Sequence, residues 1–190
     1  QVRGLLELGV LPYADMPLLF HLYAWGARLL IGLGLEPDAA IVALTRAVMC
    51  VVPALIPVPV YGILRRLNRD EPLRGSQWSL VLVAGFLPLT VTHLPEVSQK
   101  NMLGLLLFAL LMLCSQRLLE QLRPGLAAGT ALVGRLIVLT HFGTAGAAVI
   151  WGAAIALAVA VVFGRSREAL IAGGVAALAA GISVTLIYAL

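Results

Sequence analysis

Apolar residues run through this sequence in long blocks, and the blocks predict helices. They cover 16–35, 40–64, 79–93, 102–114, 126–141 and 142–163, with a further run from 169 to the end. A helix that crosses a membrane takes roughly 20 mostly apolar residues, so there is room for several spans and none for a sizeable soluble domain as well. The expected fold class is all-α: a polytopic transmembrane helix bundle, one domain over 1–190, with about six spanning helices and one interfacial helix, truncated at both ends. Two blocks have a character of their own. Block 16–35 mixes His21, Tyr23, Trp25 and Arg28 among its leucines and places Pro17 at its expected first turn. Block 40–64 is interrupted by Pro53, Pro57 and Pro59, which predicts a kinked span whose freed carbonyls find partners on neighbouring helices. After Gly125 the chain is so rich in Ala, Gly, Val and Leu that close packing through small residues is expected.

Composition sharpens this picture. The chain is 61% hydrophobic and 12% charged, against about 25% charged in an ordinary soluble domain, and its mean hydropathy is +1.02. Cys50 and Cys114 sit in apolar runs without Cys or His nearby, which excludes a disulfide framework and a zinc cluster of familiar spacing. A net charge of +4 would suggest nucleic acid in a soluble protein. Here the basic residues fall between apolar blocks, so the charge sets orientation in a bilayer and no nucleic-acid partner is expected. No initiator Met or charged leader precedes the first block, and the last run stops without a polar flank. Both ends therefore read as cut, with the rest of the chain's own sequence missing on either side.

Orientation follows from the arginines. Arg65, Arg66, Arg69 and Arg74 follow the second block, Arg117 and Arg123 the fourth, and Arg165 and Arg167 the sixth. These three connections are assigned to the cytoplasm. Block 40–64 then runs inward, residues 1–39 form an outer loop and interfacial helix, and 40–190 hold the spanning helices. Block 16–35 must enter and leave on one side, which suits a helix lying in the outer interface. Parity also allows a true span preceded by a cytoplasmic N-terminus, with an outer hairpin at 36–38.

Polar residues on the outer side are few and bunched. Asp15 and His21 lie in 11–21, His93, Glu96 and Lys100 in 92–101, and His141 in 140–144. All fall on one face and are expected to line a single extracytoplasmic cavity. Arg135 stands six residues inside the fifth block, where an ionisable group costs at least about 2.5 kcal/mol unless it is paired or faces water. It reads as a functional group, or equally as a structural one bonded to a carbonyl freed by Pro53 or Pro57.

Three features together resemble a known family. They are the Asp15-Met16-Pro17-Leu18-Leu19 stretch, the Thr45-Arg46-Ala47 segment of a span closing on Arg65-Arg66, and an outer loop with Glu96 and Lys100-Asn101. Over roughly residues 7 to 120 the pattern is similar to the first part of a GT-C glycosyltransferase, such as the protein O-mannosyltransferase and aminoarabinose transferase relatives. The resemblance implies inverting transfer of a sugar from a polyprenyl-phosphate donor to an acceptor hydroxyl or a lipid, on the extracytoplasmic face of a prokaryotic plasma membrane. Membrane lipid and the polyprenyl-phosphate sugar would be its partners. An acid would act as base while cations hold the leaving phosphate. Carried over residue by residue, Asp15 and Glu96 are the catalytic candidates, and Lys100, His93, His141 and Arg135 the substrate-binding ones. A divalent metal ion is the one cofactor in view. Asp15 departs from the pattern, because the family's main catalytic Asp lies further upstream and would precede Gln1.

Each residue also has a plainer reading. Glu96 and Lys100 are four apart, in the favourable order for a helix ion pair. Asp15 suits an N-cap. His93 and His141 end their blocks at a membrane boundary, Arg46 reads as an interface anchor, and Trp25, Trp78 and Trp151 as belt or packing residues. The rival function is a transporter or a non-catalytic multi-span membrane subunit, for which proline-broken helices and a buried arginine are equally natural.

Overall fold

The computed structural model describes residues 2–9, 18–69, 71–91, 97–121, 123–140 and 142–162. Among the described residues the chain is all-helical, without a strand: α1 (Val2–Glu7), α2 (Leu18–Gly32), α3 (Pro37–Leu55), α4 (Pro57–Leu67), α5 (Gly75–Val91), α6 (Val97–Glu120), α7 (Pro124–Val138) and α8 (Phe142–Val162). Two stretches are long and apolar enough to cross a membrane, Pro37–Leu67 with 31 residues and Gln99–Glu120 with 22. The apolar helices Leu18–Gly32, Pro124–Val138 and Thr144–Leu157 are shorter.

The long stretch begins and breaks where its sequence dictates. Glu36 caps α3 by accepting a hydrogen bond from the Ala39 amide at 3.0 Å, with Pro37 in the first turn and Asp38 beside the free N–H groups. The prolines then interrupt the hydrogen-bond ladder. Pro53 and Pro59 have no N–H to offer the carbonyls of Met49 and Leu55 four residues back. Pro57 cannot serve Pro53 either, and the Ile56 amide takes that carbonyl at 3.1 Å instead. The kink expected from the sequence thus falls on one residue, Ile56, which separates α3 from α4 and packs its 2% exposed side chain with Met102 and Leu106.

Side-chain pairings set the directions of the other helices. Ile56 packs with Met102 and Leu106, Gly62 lies against Leu113, and Arg66 bonds Glu120. So α3 and α4 run in the same direction as α6. Helix α5 runs oppositely, its Trp78 ring 5.5 Å from that of Tyr61 and its Gly85 against Pro57. Helix α7 returns along α6 after a short turn. Helix α8 runs with α6, Gly104 meeting Thr144 and the Phe108 ring standing 6.5 Å from that of Trp151. The core where these helices meet contains Leu19, Tyr23, Leu103, Leu107, Leu111 and Ile137.

This register has a consequence for block 16–35. Counting back from Ile56, the first residue of α6 stands beside about residue 50 of α3, so the first dozen or so residues of α3 reach roughly 18 Å beyond it. Helix α2 lines that overhang as the other arm of a hairpin, its Gly26 against Leu44 and its C-terminus joined to α3 through 33–36. It reaches the other helices at its first turns, where the Leu18 amide bonds the Leu139 carbonyl at 3.2 Å. Helix α1 is fastened to this arm by the Arg3–Asp38 ion pair and by Arg28, which donates to the Leu5 carbonyl at 3.5 Å. A helix lying flat in the interface was expected from parity; α2 instead runs antiparallel to α3, beyond the end of α6. Arg46 sits ten residues into α3, exposed near the level where α6 begins.

Candidate functional site

The end of the bundle where α2, α6, α7 and α8 meet is the end to which the sequence assigns its candidate residues. Lys100 lies in the first turn of α6, because the helix winds back through Asn101, Lys100 and Gln99 to Val97 instead of stopping at the apolar block. A residue expected in a loop is thus held on a helix. Its ammonium stands over the Phe20 ring of α2, 4.7 Å from the centroid. Next to it the Tyr23 hydroxyl donates to Gln99 Oε1 at 2.6 Å, across 76 residues of sequence. Thr140, 1% exposed, donates to the Leu136 carbonyl at 2.7 Å, and Thr144 follows it on α8.

Tyr23 is 5% exposed among leucines. Burial disfavours its phenolate and pushes its pKa up to about 12. The hydroxyl therefore remains a donor over the whole physiological range, which fixes the sense of the bond to Gln99. The folded value lies above the ordinary 10.0, so the stability tied to this group is fully present below about pH 10 and lost as pH rises through about 12. In a spectrophotometric titration, one of the four tyrosines is expected to ionise late, and Tyr23→Phe to remove that late component. A titration that Tyr23→Phe leaves unchanged at high pH would contradict the burial argument.

Arg135 stands differently from its sequence reading. Helix α7 ends at Val138, so Arg135 lies in its last turn, half-buried, where a cation favours the helix dipole. Its side chain points away from the Val133–Leu136–Ile137 face that joins the core. Among the described residues its guanidinium makes no hydrogen bond or ion pair, so the bond to a carbonyl freed by Pro53 or Pro57 is not formed.

Asp15, His93, Glu96 and His141 lie outside the described residues. Of the six candidates, Lys100 is thus placed in the polar cluster and Arg135 on α7. From the sequence, Tyr23 entered only through the mixed character of block 16–35, and Gln99 had no role. The usable signal was a tyrosine inside an apolar run, whose hydroxyl needs a partner once buried. No group of three or more His, Cys, Asp or Glu able to hold a metal ion occurs among the described residues. The groups placed here, an ammonium, a phenol, an amide and hydroxyls, suit an anion or a polyol better than a cation. The chain matches no family model, no curated protein and no solved structure.

Proposed function

We propose that the chain is part of a polytopic membrane protein, with about six spans, and that its Lys100 end is the donor-phosphate side of a GT-C-like glycosyltransferase. The bilayer reading draws support from the outer surface of the helices. Helix α8 is apolar all round yet exposes Val149, Ile150, Leu157 and Val161, and α5 exposes Leu80, Leu82, Val83 and Phe86. A helix apolar on every face belongs in a protein core or in lipid, and here the exposure favours lipid. The orientation has the α4–α5 and α6–α7 turns inside, with 92–96 outside. Cysteines at Gly75 and Ser98, in a chain freed of Cys50 and Cys114, are expected to react with an impermeant reagent from opposite sides. Labelling of both from one side would overturn the orientation.

The observation that carries the enzymatic reading is Lys100 held in the first turn of α6, with Phe20, Tyr23 and Gln99 around it. A compact ammonium at a water–lipid boundary is the group that meets the phosphate of a polyprenyl donor. In the reaction, Glu96 or Asp15 takes the proton of the acceptor hydroxyl, and that oxygen bonds to the anomeric carbon. The carbon–phosphate-oxygen bond breaks, and polyprenyl phosphate leaves with its charge met by Lys100. Membranes carrying the full chain are expected to transfer label from a polyprenyl-phosphate sugar to an acceptor, and absence of transfer across a panel of such donors would overturn the assignment. The proline break at Ile56 favours the second reading, a transporter, since discontinuous helices line transport sites. Movement of solute without transfer would decide for it.

A further inference from the structure

At the opposite end of the bundle, the last turns of α4 and α6 and the first turns of α5 and α7 come together. Arg66 bonds Glu120 and ties α4 to α6. Asn68 and Gln77 exchange two hydrogen bonds, Nδ2 to Oε1 at 2.6 Å and Nε2 to Oδ1 at 2.8 Å, and Gln77 Oε1 also accepts from the Arg74 amide at 2.9 Å. This double amide clasp closes the α4–α5 turn around Arg69, whose φ of 55° lies in the left-handed region that side chains other than glycine's adopt at a cost. Arg65, Arg69, Arg74, Arg117 and Arg123 are all exposed. Against the six arginines of this end stand Glu71, Glu120 and, in the sequence of the turn, Asp70.

Orientation in a membrane needs positive charge in a connection and is indifferent to its geometry. A strained arginine inside an amide clasp goes beyond that need. The neighbours identify what such an arrangement would meet. Leu67, 66% exposed, and Leu119 lie among the arginines, and Trp78 stacks near Tyr61 at the same level. Exposed leucines and an aromatic pair beside guanidinium groups mark the depth of lipid headgroups, where acyl chains end and phosphates begin. A partner approaching from bulk water would leave those leucines uncovered.

We propose that the α4–α5 turn, braced by the Asn68–Gln77 clasp, is a binding seat for anionic phospholipid headgroups, with Arg69 and Arg74 holding the phosphate. The proposal rests on the membrane reading above and is independent of the sugar-transfer reading. Trp78 supplies a local reporter. The full chain carrying Trp25→Phe and Trp151→Phe is placed in phosphatidylcholine vesicles doped with brominated phosphatidylglycerol or brominated phosphatidylcholine, and insertion is verified by resistance to carbonate extraction. Brominated phosphatidylglycerol is expected to quench Trp78 at about one-fifth the mole fraction for each arginine engaged. Arg69→Gln/Arg74→Gln should abolish the preference, and so should Asn68→Ala/Gln77→Ala, which leaves every charge in place. Equal quenching by the two lipids in an inserted chain would overturn the seat and leave the membrane reading standing. Full preference in the clasp variant would reduce the effect to diffuse charge attraction and overturn it as well. A chain washed off by carbonate would remove the proposal and the membrane reading together.

Discussion

Sugar transfer by the full chain is expected to fall roughly 10²- to 10⁴-fold in Glu96→Gln if that acid is the base. Loss of comparable size is expected in Lys100→Ala, with Lys100→Arg restoring part of it. Two effects compete in the lysine variant, and their sizes separate them. Removing the ammonium from the Phe20 ring costs about 0.5–2 kcal/mol of stability at this half-buried position. Removing a cation from a leaving phosphate in a water-poor site costs about 3–4 kcal/mol of barrier. A structural role would therefore lower the melting temperature a little and leave turnover nearly intact, whereas a role at the phosphate would do the reverse. Tyr23→Phe is the internal control, since it breaks the bond to Gln99 and leaves the charge. Wild-type turnover in both Glu96→Gln and Lys100→Ala would remove the two residues from the site.

The largest expected loss of stability lies at Gly104. A Cβ built there would stand 2.8 Å from both Thr144 Cγ2 and Oγ1 and 3.2 Å from its Cβ. Threonine is β-branched and stiff at χ1, so relief requires α6 and α8 to separate. Gly104→Val is expected to destabilise by about 1–3 kcal/mol, the usual range for overpacking, read as a lower denaturation midpoint in detergent. Gly104→Ala should fall between it and the parent. Gly129→Val is the contrast, because a Cβ at Gly129 meets nothing within 4 Å. Equal effects at the two glycines would show that helix propensity, and not the close approach of α6 to α8, sets the cost.

The apolar blocks made the helices legible because burial and lipid both select for them, and the prolines made the break near residue 56 legible because a missing N–H is a local fact. What escaped the sequence was long-range or polar. Helix α1 has six residues, too few to announce itself, and is held by Arg3 to Asp38 across 35 positions. The ends of α6 were hidden for a different reason. Its backbone keeps winding through Gln99, Lys100 and Asn101 at one end and Gln116 to Glu120 at the other, so reading helix limits from hydropathy trims the polar turns. Those turns are the ones that carry Lys100 and Glu120. Arg135, read from the sequence as six residues inside block 126–141, stands in the last turn of α7, because the block runs past the end of that helix at Val138. The Tyr23–Gln99 clasp joins two blocks that no local pattern relates.

The overhang of α3 has a mechanical side. One rod carries the α1–α2 arm at one end and enters the bundle at the other, with regular helix from Pro37 to Pro53. Below that come the missing rungs of the three prolines, and below those a second regular helix locked to α6 by Arg66 and Glu120. Stiffness is thus high above and below and low across a few residues around Ile56. A load on the α1–α2 arm is therefore not spread along the rod but concentrated as bending at Ile56. The fulcrum sits between Met102 and Leu106, within two turns of Lys100, so the arm and the polar cluster beside it share a single pivot.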